Sequence, residues 1–348
     1  MFTSLGGVGL RSPRLSRSMF WLGLLTIVIG YLLTTEDLYR YANWQSRGFF
    51  SGSSAGFNAS SAQASSSLPF NYKAVVAYQA KDRSDGVYAN IKNNSPTGED
   101  NYFIAMRNSS DLYAGVADGV GGWAEHGYDS SAISREICSC MRDFVFTSCG
   151  GKSTPFTPKQ LIDWGYTKVK KDEIVKVGGT TAIVAHFAPN GSLSVANLGD
   201  SWCGVFRESR LVFQTKFQTV GFNAPYQLAI IPDSMLKEAA RRGGSYIQNK
   251  PNDADEYNFK LKQNDVVVLA TDGVTDNIAV EDMELFLKDH ADDANLQDTC
   301  QTFVDQVVKL SKDPTFPSVF AQEISKLSGK QYSGGKEDDI TVVIVKVE

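Results

Sequence analysis

A chain of 348 residues, 42% hydrophobic and 21% charged, has the composition of an ordinary globular protein and not of a disordered or fibrous one. A formal net charge of −5 and the absence of a basic stripe argue against a nucleic-acid partner. Five cysteines without a CxxC pair argue against a disulfide framework or zinc knuckle, and three histidines with no HxH or HExxH spacing exclude an imidazole-rich metal site, so any metal here must be held by oxygen.

The N-terminus reads as a separate object. Residues 1–18 carry Arg11, Arg14 and Arg17, several serines and no acid, the composition of a mitochondrial targeting leader. Residues 18–35 are uncharged, SMFWLGLLTIVIGYLLTT. As a helix they span roughly 27 Å, close to the hydrocarbon thickness of a bilayer. Trp21 and Tyr31 lie near the ends, and no small-residue cleavage site follows. The expectation is a single-pass anchor over 19–35, in a mitochondrial membrane, with the ER or nuclear envelope as the alternative. Residues 36–69 form a linker whose stretch 51–67 holds eight serines with Gly52 and Gly56, too polar to build a core. Pro69 and Phe70 open a single large domain, 70–348, expected to be monomeric, with no internal repeat and no second Ser/Gly-rich linker.

Within that domain strands and helices alternate in blocks. Residues 73–79 suit a short strand, and 102–107 with 112–117 a hairpin closed by Asn-Ser-Ser-Asp. A helix follows over 130–146, with Ile133, Ile137, Met141, Phe144 and Val145 on one face, and a weaker one over 161–175. Strands at 180–187 and 192–198 flank Pro189-Asn190-Gly191, and 202–207 with 211–216 make another pair. Residues 217–232 have no clean period, and 234–242 is helical. After a strand at 266–270 come helices at 280–289, 297–311 and 318–326, and a closing strand at 340–347. Clustered hairpins with helices between them point to an α+β fold on antiparallel sheets.

Four acidic clusters sit at the ends of these strands. The run 112–117 ends in Asp118-Gly119, 266–270 in Thr271-Asp272-Gly273, Glu99-Asp100 opens 102–106, and Glu337-Asp338-Asp339 precedes 340–347. One Asp-Gly at a strand end is an ordinary turn. Four such ends suggest a single convergent site of oxygen ligands, the surface that hard divalent cations prefer.

These residues carry a resemblance to the metal-dependent serine/threonine phosphatases of the protein phosphatase 2C family, closest to its mitochondrial branch. The pieces that match, in order, are Glu99-Asp100, VADGVGG at 116–122, GGTTA at 178–182, NLGDS at 197–201, LATDGVTD at 269–276 and DDITVVIV at 338–345. The resemblance implies a central sandwich of two antiparallel β-sheets flanked by helices, with two Mn²⁺ or Mg²⁺ ions in a cleft at one edge. Hydrolysis of phosphoserine and phosphothreonine in phosphoprotein substrates would then proceed by water activated between the two ions, without a protein nucleophile. Asp118 would be shared by both ions, with the Gly119 carbonyl on one and Asp272 and Asp338 on the other. Glu99 and Asp100 would ligate or orient metal-bound water, and Asp200 would help hold a weaker third ion.

Three positions depart from the family pattern. Val120 replaces a histidine that is the usual candidate for leaving-group acid, with His126 as the nearby alternative. Ser95, Pro96 and Thr97 occupy the place of a phosphate-binding arginine, and Arg83 reads as an exposed loop residue. DDIT replaces the commoner DNxT, which leaves Asp339 beside Asp338 as a possible partner and makes Asp339→Asn an expected near-neutral change. Two rival readings are a pseudophosphatase, serving as a membrane-anchored binding or sensor module, and an oxygen-liganded nuclease. The complete acidic set argues against the first, because clustered carboxylates repel one another unless a cation neutralises them. The acidic pI argues against the second.

Overall fold

In chain order the strands are β1 (Tyr72–Gln79), β2 (Asp100–Asn108), β3 (Asp111–Asp118), β4 (Gly178–Thr180), β5 (Ala182–Phe187), β6 (Ser192–Leu198), β7 (Trp202–Arg207), β8 (Arg210–Gln214), β9 (Thr219–Gly221), β10 (Ala224–Pro225), β11 (Leu228–Ile230), β12 (Asp255–Lys260), β13 (Val266–Ala270) and β14 (Ile340–Val347). The helices are α1 (Ser131–Thr147), α2 (Pro158–Asp172), α3 (Asp233–Arg241), α4 (Asp272–Thr275), α5 (Val280–Asp289), α6 (Leu296–Ser311) and α7 (Val319–Ser328). The computed structural model describes residues 69–83, 95–148 and 155–348, so the expected leader, the anchor and nearly all of the linker lie outside the described residues. Among the described residues no helix is long and apolar enough to cross a membrane.

Two five-stranded antiparallel sheets, ordered β1-β14-β13-β7-β8 and β12-β6-β5-β3-β2, stack face to face. Because side chains alternate across a strand, a strand inside the sandwich needs apolar residues on both faces. β3 shows why: Leu112, Ala114 and Val116 point between the sheets, where they share a core with Val205, Leu269 and Val343. Tyr113 and Ala117 point the other way, onto Ile133, Ile137 and Met141 of α1 and Leu161 and Ile162 of α2. On the opposite outer face Val268, Val342 and Ile344 meet Phe303, Val304 and Val307 of α6, with Met283 and Phe286 of α5. Three apolar layers thus make an α/β/β/α stack, as expected for the α+β class.

Local signals set the helix ends. Thr157 and Gln160 form a reciprocal capping box with Pro158 in the first turn, which starts α2 three residues before its apolar pattern becomes visible. The expected strand over 180–187 is interrupted at Thr181, whose N–H donates to the Asp118 carbonyl at 2.9 Å. That contact lets β4 pair with β11 while β5 joins β3 and β6. β12 has no counterpart in the sequence reading. It is an edge strand, DEYNFK, in which only Tyr257 and Phe259 turn inward.

Candidate metal centre

The strand ends gather at one edge of the sandwich. Asp100, the first residue of β2, pairs in register with Asp118, the last residue of β3. In the other sheet Thr271 and Thr341 tie the end of β13 to the start of β14: the Thr271 N–H donates to the Thr341 carbonyl at 3.2 Å, and the Thr341 N–H to Thr271 Oγ1 at 3.1 Å. Asp272 follows β13 directly, and Asp338 and Asp339 precede β14. The two sheets are stitched together here, because Thr271 Oγ1 donates to Asp100 Oδ2 at 2.8 Å. Asp200 lies in the turn where the chain passes from β6 in one sheet to β7 in the other.

Close backbone approach leaves no room for side chains at two of the turns. A Cβ on Gly119 would stand 2.4 Å from the Ser130 carbonyl oxygen, and one on Gly273 2.0 Å from that of Asp339. The Asp118 backbone is held from both sides. Its N–H donates to Thr181 Oγ1 at 3.0 Å and its carbonyl accepts from Thr180 Oγ1 at 2.9 Å, which gives the GGTT segment a positioning role.

Electrostatically the edge is overloaded with negative charge. Burial, then Asp272, Asp100, Asp338 and Asp200, push the Asp118 carboxyl well above the ordinary carboxylate range. Burial and the neighbouring Asp339 do the same to Asp100, and burial with Asp272 and Asp276 does it to Asp200. Asp276 is pushed up to about 7 by burial and Asp272, against the pull of Lys336. Asp338 goes the other way: burial would raise it, but Lys336 and Lys81 hold it below its usual value. Asp100, Asp118, Asp200, Asp272 and Asp338 therefore stand within electrostatic reach of one another at this edge.

Glu99 faces a different neighbourhood. Consecutive residues at a strand start point to opposite sides, and Glu99 accepts from Ser130 Oγ and pairs with Lys81 Nζ at 2.8 Å and the Arg83 guanidinium at 3.2 Å. Arg83 corrects the expectation of an exposed loop residue. Its side chain is largely buried and forks onto Asp339, with one contact at 2.8 Å, so it belongs to the site. Asp339 also accepts the N–H groups of Lys81 at 2.9 Å and Glu99 at 2.8 Å. It ties the loop after β1 to the start of β2, while Asp338 turns its carboxylate to Lys81 and Lys336.

Lys81, Lys336 and Asp276 are site residues that the sequence reading missed. Asp276 had a signal, since it stands four residues after Asp272, on the same face of a helical turn. The two lysines had none, because nothing in a sequence marks a lysine as buried. His126 is exposed and stands edge-on to Trp123, and Val120 packs against the small apolar cluster of Trp123, Val177, Ala229 and Ile231. Cys138, Cys140, Cys203 and Cys300 are free thiols.

The chemistry of this donor set suits a divalent cation. Its donors are carboxylates, and Asp100 Oδ1 and Asp200 Oδ1 are buried with no hydrogen-bond partner among the described residues. No three acidic side chains among the described residues stand as a ready-made cage, and the Lys336 and Lys81 ammoniums lie between them.

Comparison with known proteins agrees with this geometry. The family described as stage II sporulation protein E (SpoIIE) matches residues 108–348. The chain is 58% identical to "Protein phosphatase 2C homolog 7, mitochondrial" of Saccharomyces cerevisiae, over 98% of this chain and 99% of that one. It is 32% identical to "Protein phosphatase PTC7 homolog" of Homo sapiens, over 73% of this chain and 81% of the other. Among solved structures it shares its fold with the photosystem II phosphatase PBCP, at a TM-score of 0.62 and 24% identity, covering 80% of this chain and 99% of that chain. A strand-tip carboxylate site on this sandwich, together with relatedness across nearly the whole length, places the chain in the protein phosphatase 2C family of metal-dependent protein serine/threonine phosphatases.

Proposed function

We propose that the reaction is centred on Asp118, with two Mn²⁺ or Mg²⁺ ions held between Asp118, the Gly119 carbonyl, Asp272 and Asp338, and with phosphoserine and phosphothreonine of phosphoproteins as substrates. The observation that carries this is the position of Asp118. It ends β3 in register with Asp100, and Asp272, Asp100, Asp338 and Asp200 all disfavour its ionised form, so it stands where a single group can serve two cations. When bound, two divalent cations supply Lewis acidity toward the phosphoryl group and the attacking water, so no protein nucleophile is required.

The remaining work falls to the chain itself. Asp100, braced by Thr271, orients water at the edge of the site, and Asp200 contributes negative charge beside Asp276. Glu99 and Asp339 hold Lys81 and Arg83, a pair of cationic side chains suited to meet phosphoryl oxygens. With valine at 120 and His126 exposed, neither position supplies a buried acid to the leaving alkoxide.

Metal rescue tests the assignment. Asp272→Asn and Asp338→Asn should lose activity at low Mn²⁺ and recover much of it at saturating Mn²⁺, because each removes one ligand of one ion. Asp118→Asn should not recover. Equal rescue of all three variants would remove Asp118 from the shared position.

The same reading places the enzyme in mitochondria, tethered by one N-terminal helix. Support comes from the acid-free, arginine-bearing leader, the uncharged run 18–35, and the mitochondrial designation of the Saccharomyces cerevisiae relative. The full-length chain should stay in the membrane pellet after alkaline carbonate treatment of mitochondria. Its release into the supernatant would reject the anchor.

A further inference from the structure

Lys336 brings into the site a positive charge that the phosphatase motifs do not account for. Its ammonium stands 2.7 Å from Asp272 Oδ2 and 3.3 Å from Asp338 Oδ2, and it also donates to Asp276. It lies 3.4 Å from Asn223 Oδ1 in the β9–β10 turn and 5.4 Å from the centre of the Phe320 ring. The side chain is 17% exposed.

The backbone that delivers this ammonium is clamped. The Lys336 N–H donates to Asn277 Oδ1 at 2.9 Å, and Asn277 Nδ2 donates to the carbonyls of Lys336 and Gly273, both at 2.8 Å. One buried amide therefore ties Lys336 to the turn that carries Asp272. The preceding Gly335 is seated so tightly that a Cβ would lie 2.3 Å from the Leu310 carbonyl oxygen. A lysine reaching in from a surface loop would need none of this, and would lose side-chain entropy to stay.

The position of the ammonium is informative. It bridges Asp272 and Asp338 to Asp276, and Asp200 faces the same group of charges. That is the corner where a weaker third ion was expected beside Asp200. Two carboxylates bound for the metal pair and a third outside it already have a cation between them.

We propose that Lys336 is a built-in cation of the active site, which takes the place of a third metal ion, so that the enzyme operates with two. This rests on the metal-site reading above. It makes Lys336 a positioning residue: it holds Asp272 and Asp338 at Oδ2 of each, which turns Asp272 Oδ1 toward the metal pair, while Asp338 Oδ1 is met by Lys81 Nζ and the Asp339 N–H, both at 3.0 Å.

The test counts ions on the full-length chain. Bound Mn²⁺ is measured by equilibrium dialysis or by the electron paramagnetic resonance of free Mn²⁺, up to millimolar metal. Wild type should saturate at about two ions per chain, Lys336→Met at about three, and Lys336→Arg, which keeps the charge, at about two again. If Lys336→Met folds only when Mn²⁺ is present, an ion is replacing the ammonium and the proposal is supported. Three ions on wild type, two on a folded Lys336→Met, or a Lys336→Met that is unfolded with and without Mn²⁺ would each overturn it. The outcomes separate the two ideas: two ions on both wild type and variant reject the role of Lys336 alone, whereas a wild type that binds no Mn²⁺ rejects the metal centre with it.

Discussion

Asp339 shows what a motif leaves out. As the second acid of DDIT it read as a replaceable neighbour of Asp338, and reversion to asparagine as nearly neutral. In the fold it is 3% exposed and takes four donors: two backbone N–H groups and both prongs of Arg83. An asparagine keeps one oxygen but turns an NH₂ toward donors and leaves Arg83 without its full counter-charge. Asp339→Asn should therefore destabilise the domain by about 3 kcal/mol, as breaking a buried ion pair does, read by urea unfolding of the metal-free protein. A loss under about 0.5 kcal/mol, the usual scatter of surface changes, would restore the earlier expectation. The residues legible in sequence, Asp118 and Asp272 above all, are those whose backbone context is itself a pattern, an apolar run broken by Asp-Gly. Lys81, Arg83 and Lys336 were not legible, because their roles depend on which loops meet in space.

At the scale of elements, the strands that carry the carboxylates were also the easiest to find. β7, β13 and β14 begin and end where the apolar runs do, since strands buried on both faces read as continuous hydrophobic stretches. The harder parts lie at the margins. β12 has two inward residues in six and opens with two acids, so its alternation is faint. The segment 217–232 folds into three short strands, too brief to show a period, yet its β9–β10 turn brings Asn223 to Lys336. The break at Thr181 was invisible for another reason. It answers to Asp118, 63 residues earlier, whose N–H donates to Thr181 Oγ1 and is thereby fixed at the strand tip.

At the scale of the molecule, a sandwich that gathers this many acids at one edge should be least comfortable when they are all ionised and no metal is present. Asp276 has a folded-state value of about 7 against 3.8 for the free group. A carboxyl raised on folding contributes stability that is fully present below its unfolded value and lost as pH climbs through its folded value. Metal-stripped protein should thus melt at a lower temperature at pH 8 than at pH 5.5, with the loss centred in the window between about 4 and 7. Saturating Mn²⁺ should shrink or reverse that difference, as a cation that binds the ionised carboxylates favours the high-pH form. A metal-free melting temperature that rises from pH 5.5 to 8 would mean the acidic edge is not strained. The molecule's overall architecture, by contrast, was readable in advance, because six motifs fall in order along one domain and each lies at a strand tip or a turn between sheets.

The central claim, that a shared oxygen-liganded metal site built on Asp118 performs the hydrolysis, is tested most directly by phosphate release from phosphoserine and phosphothreonine peptides. Wild type and Asp118→Asn are assayed with EDTA and then with millimolar Mn²⁺. The account predicts activity that EDTA abolishes and Mn²⁺ restores, with Asp118→Asn slower by roughly 10²-fold or more at saturating metal. Activity that survives both EDTA and Asp118→Asn would contradict it, and Mn²⁺-loaded wild type inert toward every phosphopeptide would leave the fold as a binding module.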